Sequence, residues 1–97
     1  DPKVKAEVMA CLDRVTSEHG IAWHHLRHRH LGDGHWVDFH LVFDDETSVR
    51  EAHEIATQIE RSVRAHLGQG TTVTSHLEPA EDHERIHGHA PGEQGPS

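Results

Sequence analysis

The chain is predicted to fold as an α+β sandwich, a small three-stranded sheet covered on one face by helices, in the order helix, strand, strand, helix, strand. Two kinds of observation predict this. Two separated segments carry apolar residues at helical spacing, and three others carry strand-like alternation. Glycine-containing breaks, "HG", "GDG" and "GQG", fall between them.

Residues 3–19 read as an amphipathic helix, with Val4, Val8, Cys11, Leu12 and Val15 repeating at helical spacing between charges. Asp1-Pro2 is a start signal and Gly20 a stop. "IAWHHLRHRHL" (21–31) is strand-like, but its alternation is imperfect, as a bulge would make it. "GDG" (32–34) is a strong turn signal. "HWVDFHLVF" (35–43) alternates cleanly, with Val37, Phe39, Leu41 and Phe43 on one face and Trp36, Asp38, His40 and Val42 on the other.

A second helix is expected over about 48–67, its start marked by the acidic and hydroxyl residues of "DDETS". Val49, Ala52, Ala56, Ile59, Val63 and Leu67 form its apolar stripe, with His53 at the edge. "TTVTSHLE" (71–78) is the third strand, placing Val73, Ser75 and Leu77 toward the core and Thr74, His76 and Glu78 away from it. Pro79 ends it. Residues 80–97 are polar, rich in Gly and Pro and nearly without aliphatics, and are expected to be a disordered tail. Residues 1–79 are the domain.

With 97 residues, 33% of them apolar and 4% aromatic, the chain is one lean domain that a dimer would help to bury. The formal charge is −8 with histidine neutral, which argues against a nucleic-acid partner and favours cations. There are 13 histidines, so at about pH 5 the sign would reverse. The single cysteine, Cys11, excludes an internal disulfide and a Cys-based zinc finger, and it reads as a buried packing thiol. No apolar run approaches the ~20 residues of a membrane span, and no signal peptide is visible. The chain does not begin with Met, so it reads as a fragment of something longer, a membrane protein included.

The segment 23–40 holds six histidines in eighteen positions. Residues two apart on a strand point the same way, so His76 and Glu78 present an imidazole and a carboxylate side by side. Alone, that pair is a weak signal, more often a solvated sheet face than a site. His40 and His24 on neighbouring strands make it a metal candidate. Mixed nitrogen and carboxylate donors suit Zn²⁺ and its first-row neighbours rather than Ca²⁺ or Mg²⁺. His25, His28, His30 and His35 are auxiliary ligands or plain surface residues, and His25 and His28 stand first among them. His19 and His66 suit helix C-termini. His83, His87 and His89 lie in the tail, where "HGH" can catch a metal transiently. There is no H-E-x-x-H, no G-x-S-x-G, no phosphate loop and no base partner for Cys11, so no enzyme is expected.

Taken together, "HHLRHRHLGDGHWVDFHLVFDDETSVREAHEIATQIE" and "VTSHLEP" resemble the C-terminal cytoplasmic domain of cation diffusion facilitator transporters. That family's pattern has a His-Asp-Leu-Arg-x-Arg strand, a His-Leu strand, an Ala-His helix start and a last strand ending His-x-Asp/Glu-Pro. The likeness covers about residues 3–79. It implies a metallochaperone-like α-β-β-α-β fold on the cytoplasmic side of a membrane, attached to a transmembrane domain and paired as a V-shaped homodimer. It also implies divalent-cation ligands at His24, His40, His53, His76 and Glu78, with binding favouring closure of the V. Two departures stand out. His25 replaces the family's Asp, and the histidines at 28, 30 and 35 are additional to the pattern.

The function expected from the resemblance is a metal-sensing regulatory domain of a divalent-cation efflux transporter. Zn²⁺ is the first candidate, and ligand type leaves Cd²⁺, Co²⁺, Ni²⁺, Fe²⁺ and Mn²⁺ open, although abundant imidazole disfavours Mn²⁺. Ligating imidazoles must be neutral, so affinity should fall as pH drops through ~6.5. Two other accounts fit the residues. One is a soluble metal chaperone or buffer with no membrane attachment, which an upstream six-span hydrophobic region would disfavour. The other is a dimerisation module in which the histidines are incidental, marked by metal-independent pairing.

Overall fold

The computed structural model describes residues 2–80. The elements follow the expected order: α1 (Pro2–His19), β1 (Ala22–Leu31), β2 (Gly34–Phe43), α2 (Val49–Leu67) and β3 (Thr71–Pro79). The expected tail falls outside the described residues, apart from Ala80. No helix among the described residues is long and apolar enough to cross a membrane.

Local chemistry sets the boundaries. Gly20, at φ 71°, closes α1 in a Schellman arrangement. Its N–H donates to Ser17 O at 3.1 Å, and the Ile21 N–H donates to Thr16 O at 3.0 Å. Ser48 caps α2, its hydroxyl accepting from the Glu51 N–H at 3.0 Å in a Ser-x-x-Glu start. Trp23 ties β1 to α1 by donating its indole N–H to Asp13 at 2.8 Å.

The sheet order is β1-β2-β3, with β1 antiparallel and β3 parallel to the central β2. The parallel pair requires a crossover, and α2 supplies it. Both helices pack on one sheet face. Val8 and Leu12 of α1, Ile59 and Val63 of α2, and Val37, Phe39 and Leu41 of β2 are wholly buried together. Each such side chain contributes about 1.5–3 kcal/mol relative to leaving it in water. Cys11 is buried as expected, and burial pushes its thiol pKa up.

Two apolar positions differ from the sequence reading. Leu77 was expected in the core but is 42% exposed, and Val49 of the α2 stripe is 86% exposed. Leu41 pairs with Leu77 and is fully buried because it lies on the central strand. Leu77 instead lies near the end of an edge strand, and Val49 is the first residue of its helix.

The irregularity expected in β1 is a bulge. His24 pairs with His40 and Arg27 pairs with Asp38, so His25 and Leu26 together oppose Phe39. The bulge reverses the phase of the strand. Before it, His24 shares the open face with His40. After it, Arg27 and Arg29 take that face, and His28 and His30 turn to the helix side with Val37 and His35.

Candidate metal centre

His24, His40 and His76 form one row across the open face of the sheet, since His24 pairs with His40 and His40 pairs with His76. Glu78, two residues beyond His76, shares that face and reaches back into the row. Its Oε2 accepts from His40 Nδ1 at 2.6 Å, and its Oε1 accepts from His24 Nε2 at 3.1 Å. Ligand atoms of His24, His40 and Glu78 lie within 4.8 Å of one another, all three half-buried. Partial burial alone would raise the Glu78 carboxyl pKa. The hydrogen bonds from His40 and His24 outweigh it and hold that pKa below the usual value.

The bulge adds a further ring. His25 has φ 59°, the left-handed region that non-glycine residues seldom occupy. Its ring lies 4.1 Å from that of His24 and 5.2 Å from that of His40. Two consecutive residues of one strand therefore serve the same cluster, which regular alternation forbids.

His76 is turned partly aside. Its ring is 4.8 Å from that of His40, and its Nε2 donates to Asp38 Oδ2 at 3.4 Å. Asp38 is 5% exposed although it lies on the open face, beneath Arg27, which contacts both of its oxygens at 3.4 Å. These contacts hold its pKa down against the opposing effect of burial. Sequence reasoning did not single out Asp38 as a positioning group for His76. The signal was its place two residues before His40.

His53 is not brought to this cluster within one chain. It is exposed on α2, which packs on the opposite sheet face, and its carbonyl accepts from Thr57 at 2.9 Å. His28, His30 and His35 also lie apart, on the helix side near the end of the β1–β2 hairpin. Burial lowers the proton affinity of His28, and the neighbouring His35 and His30 add to that.

Two imidazoles and a carboxylate with a spread under 5 Å make a donor set that fits Zn²⁺. One dication would take the place of the hydrogen bonds that now join the two rings to the carboxylate. Tetrahedral ligands about 2.0–2.1 Å from zinc stand ~3.3 Å apart, so the adjustment at His24 is slight.

The chain matches the family described as the cytoplasmic domain of cation efflux proteins over residues 1–80. It is 31% identical over 79 residues to an uncharacterized transporter of Synechocystis sp., covering 75% of this chain and 25% of that protein. It is 32% identical over 75 residues to the cation-efflux pump FieF of Salmonella typhi, covering 76% of this chain and 25% of that protein. The chain thus spans about a quarter of the length of these relatives. The zinc form of CzrB, a putative zinc transporter by its published description, superposes with a TM-score of 0.76 at 28% identity, over 84% of this chain and 91% of the other. Fold, residue pattern and family match agree, and the chain belongs to the family of cytoplasmic domains of cation efflux proteins, not to a family of enzymes.

Proposed function

We propose that this domain senses a divalent cation, Zn²⁺ in the first place, for a membrane efflux protein, and that it does so as a homodimer. The observation that carries the reading is Glu78, whose two oxygens separately engage His40 at 2.6 Å and His24 at 3.1 Å. In this reading His24, His40 and Glu78 hold the ion, while His25 and His76 stand at its margin as further imidazole donors. Such a carboxylate has two lone-pair-bearing oxygens and can serve one ion or bridge two.

His53 faces away from the sheet's open side, so in this reading it meets the metal only from a second copy. A ligand set divided between copies gives the cation different affinities for different dimer arrangements. That difference is what lets a ligand shift a conformational equilibrium and bias an attached transporter. The zinc-bound state of CzrB, a relative in fold, supports zinc as the first cation to test.

The test is a calorimetric zinc titration of the metal-free chain at neutral pH, beside Glu78→Gln. Glu78→Gln keeps the shape of the side chain but removes its charge and one oxygen donor. At least a tenfold loss of affinity is expected. Equal affinity and stoichiometry in the two proteins would overturn the assignment.

A further inference from the structure

The bulge in β1 sends His28 and His30 to the helix side of the sheet, where they meet His35 near the hairpin end. His28 Nε2 lies 2.9 Å from His35 Nδ1. The three rings are stacked with His35 in the middle, its centroid 5.1 Å from His28 and 4.9 Å from His30. We propose that His28, His30 and His35 form a second, all-imidazole site for a borderline first-row divalent cation, separate from the Glu78 cluster and on the opposite face of the sheet.

Four observations carry this. First, two ring nitrogens already point at one another. A tetrahedral ion with Zn–N bonds of about 2.0–2.1 Å holds nitrogens ~3.3 Å apart, so the pair needs to open by only ~0.4 Å. Second, His30 is exposed and pairs directly with His35, so it can close the site by changing rotamer.

Third, the hairpin end is held in place. Gly34 is buried so closely against Gly70 that a Cβ there would lie 2.0 Å from the Gly70 carbonyl oxygen. His35 is therefore anchored at its neighbour. Fourth, Thr71 on β3 pairs with His35 on β2, so His30, His35 and Thr71 make one row on this face. The Thr71 hydroxyl is buried and, among the described residues, has no hydrogen-bond partner. A buried unpaired hydroxyl beside an imidazole group marks a place for a water or ion. Three neutral nitrogens with no carboxylate among them favour Zn²⁺, Co²⁺, Ni²⁺ or Cu²⁺ over Mn²⁺ or Mg²⁺.

This site goes beyond the sensing function and does not depend on it. The test uses the full 97-residue chain. Zinc bound per chain is counted by competition with a chromophoric chelator in wild type, in Glu78→Gln, and in a triple variant carrying His28→Gln, His30→Gln and His35→Gln. Side-chain ¹⁵N NMR of the same zinc titrations identifies the imidazoles that respond, separating the hairpin from the tail. The triple variant is expected to lose one chelator-competitive ion, and Glu78→Gln to keep that ion with the hairpin shifts intact. Unchanged stoichiometry in the triple variant, or imidazole shifts confined to other histidines, would overturn the proposal. Loss of binding in Glu78→Gln with the hairpin response retained would concern the other site alone.

Discussion

His25 lays its ring 4.1 Å from that of His24 although the two are consecutive on one strand, and its φ of 59° is what permits this. A left-handed conformation costs a non-glycine residue roughly 1–2 kcal/mol. Glycine escapes most of that cost. His25→Gly is therefore expected to leave the denaturation midpoint unchanged or higher, despite removing a side chain. If His25 is a ligand, the same variant should bind zinc several-fold more weakly. Chemical denaturation and calorimetry on one sample separate the two effects. A variant both less stable and equally tight in binding zinc would mean that the ring packs and does not ligate.

The hairpin end offers a purely steric prediction. In Gly34→Ala the new methyl would meet the backbone of Gly70 at 2.0 Å from its oxygen and 2.9 Å from its carbonyl carbon. Both atoms belong to main chain, so neither can swing aside. Overpacking of this kind costs about 1–3 kcal/mol, a large part of the stability of a small domain. A thermal melt should show a clear drop in midpoint. A change within experimental error would show that the hairpin and the α2–β3 loop separate easily.

Asp38 sets a limit at acid pH. Its carboxyl is held below the ordinary value by Arg27 and His76, against the effect of its own burial. Above the unfolded-chain value of about 3.9 it is ionised in both states, and its contribution to stability is complete. As pH falls through that value the unfolded chain takes up the proton first, and the contribution is lost by the time pH passes below the folded value. Asp38→Asn should lower stability by about 1 kcal/mol at pH 7, the net worth of a typical hydrogen bond, since the contacts of Asp38 are long at 3.4 Å. The gap from wild type should narrow as melts are taken at successively lower pH below the unfolded-chain value. A gap that stays constant from neutral to acid pH would mean the charge is not what matters.

The order of elements and the faces of β2 were legible because a 3.6-residue period and a two-residue period differ plainly over ten or more residues. Placement of the histidines was only half legible. His40, His76 and Glu78 followed from simple alternation. His24, His25, His28 and His30 depend on where the bulge falls, and a slip of one residue exchanges every side chain after it between faces. The irregular pattern of residues 21–31 announced a bulge without locating it. Leu77 and Val49 were misread for a different reason: periodicity tells which way a residue points, not whether anything lies over it. Asp38 shows the converse, since a carboxylate on the solvent face is buried by Arg27, which alternation cannot foresee.

His53 decides whether a second copy takes part in metal sensing. Within one chain it is exposed on α2, with the sheet between it and the open-face cluster. A helix packed through Ala52, Ala56, Ile59 and Val63 cannot rotate to bring His53 across without exposing that core. If His53 ligates the same ion, the ion must link two chains. His53→Ala is then expected to retain zinc binding through His24, His40 and Glu78 at low protein concentration. What it should lose is the zinc-dependent part of self-association, read by sedimentation velocity with and without one equivalent of zinc. Stability should change by less than about 0.5 kcal/mol, because the side chain is exposed. The core also predicts a control: Ala56→Asp, which buries a charge, should unfold the domain and abolish both signals together. Zinc-dependent association that persists unchanged in His53→Ala would leave the open-face cluster as a site complete within one chain, with pairing governed by other surfaces.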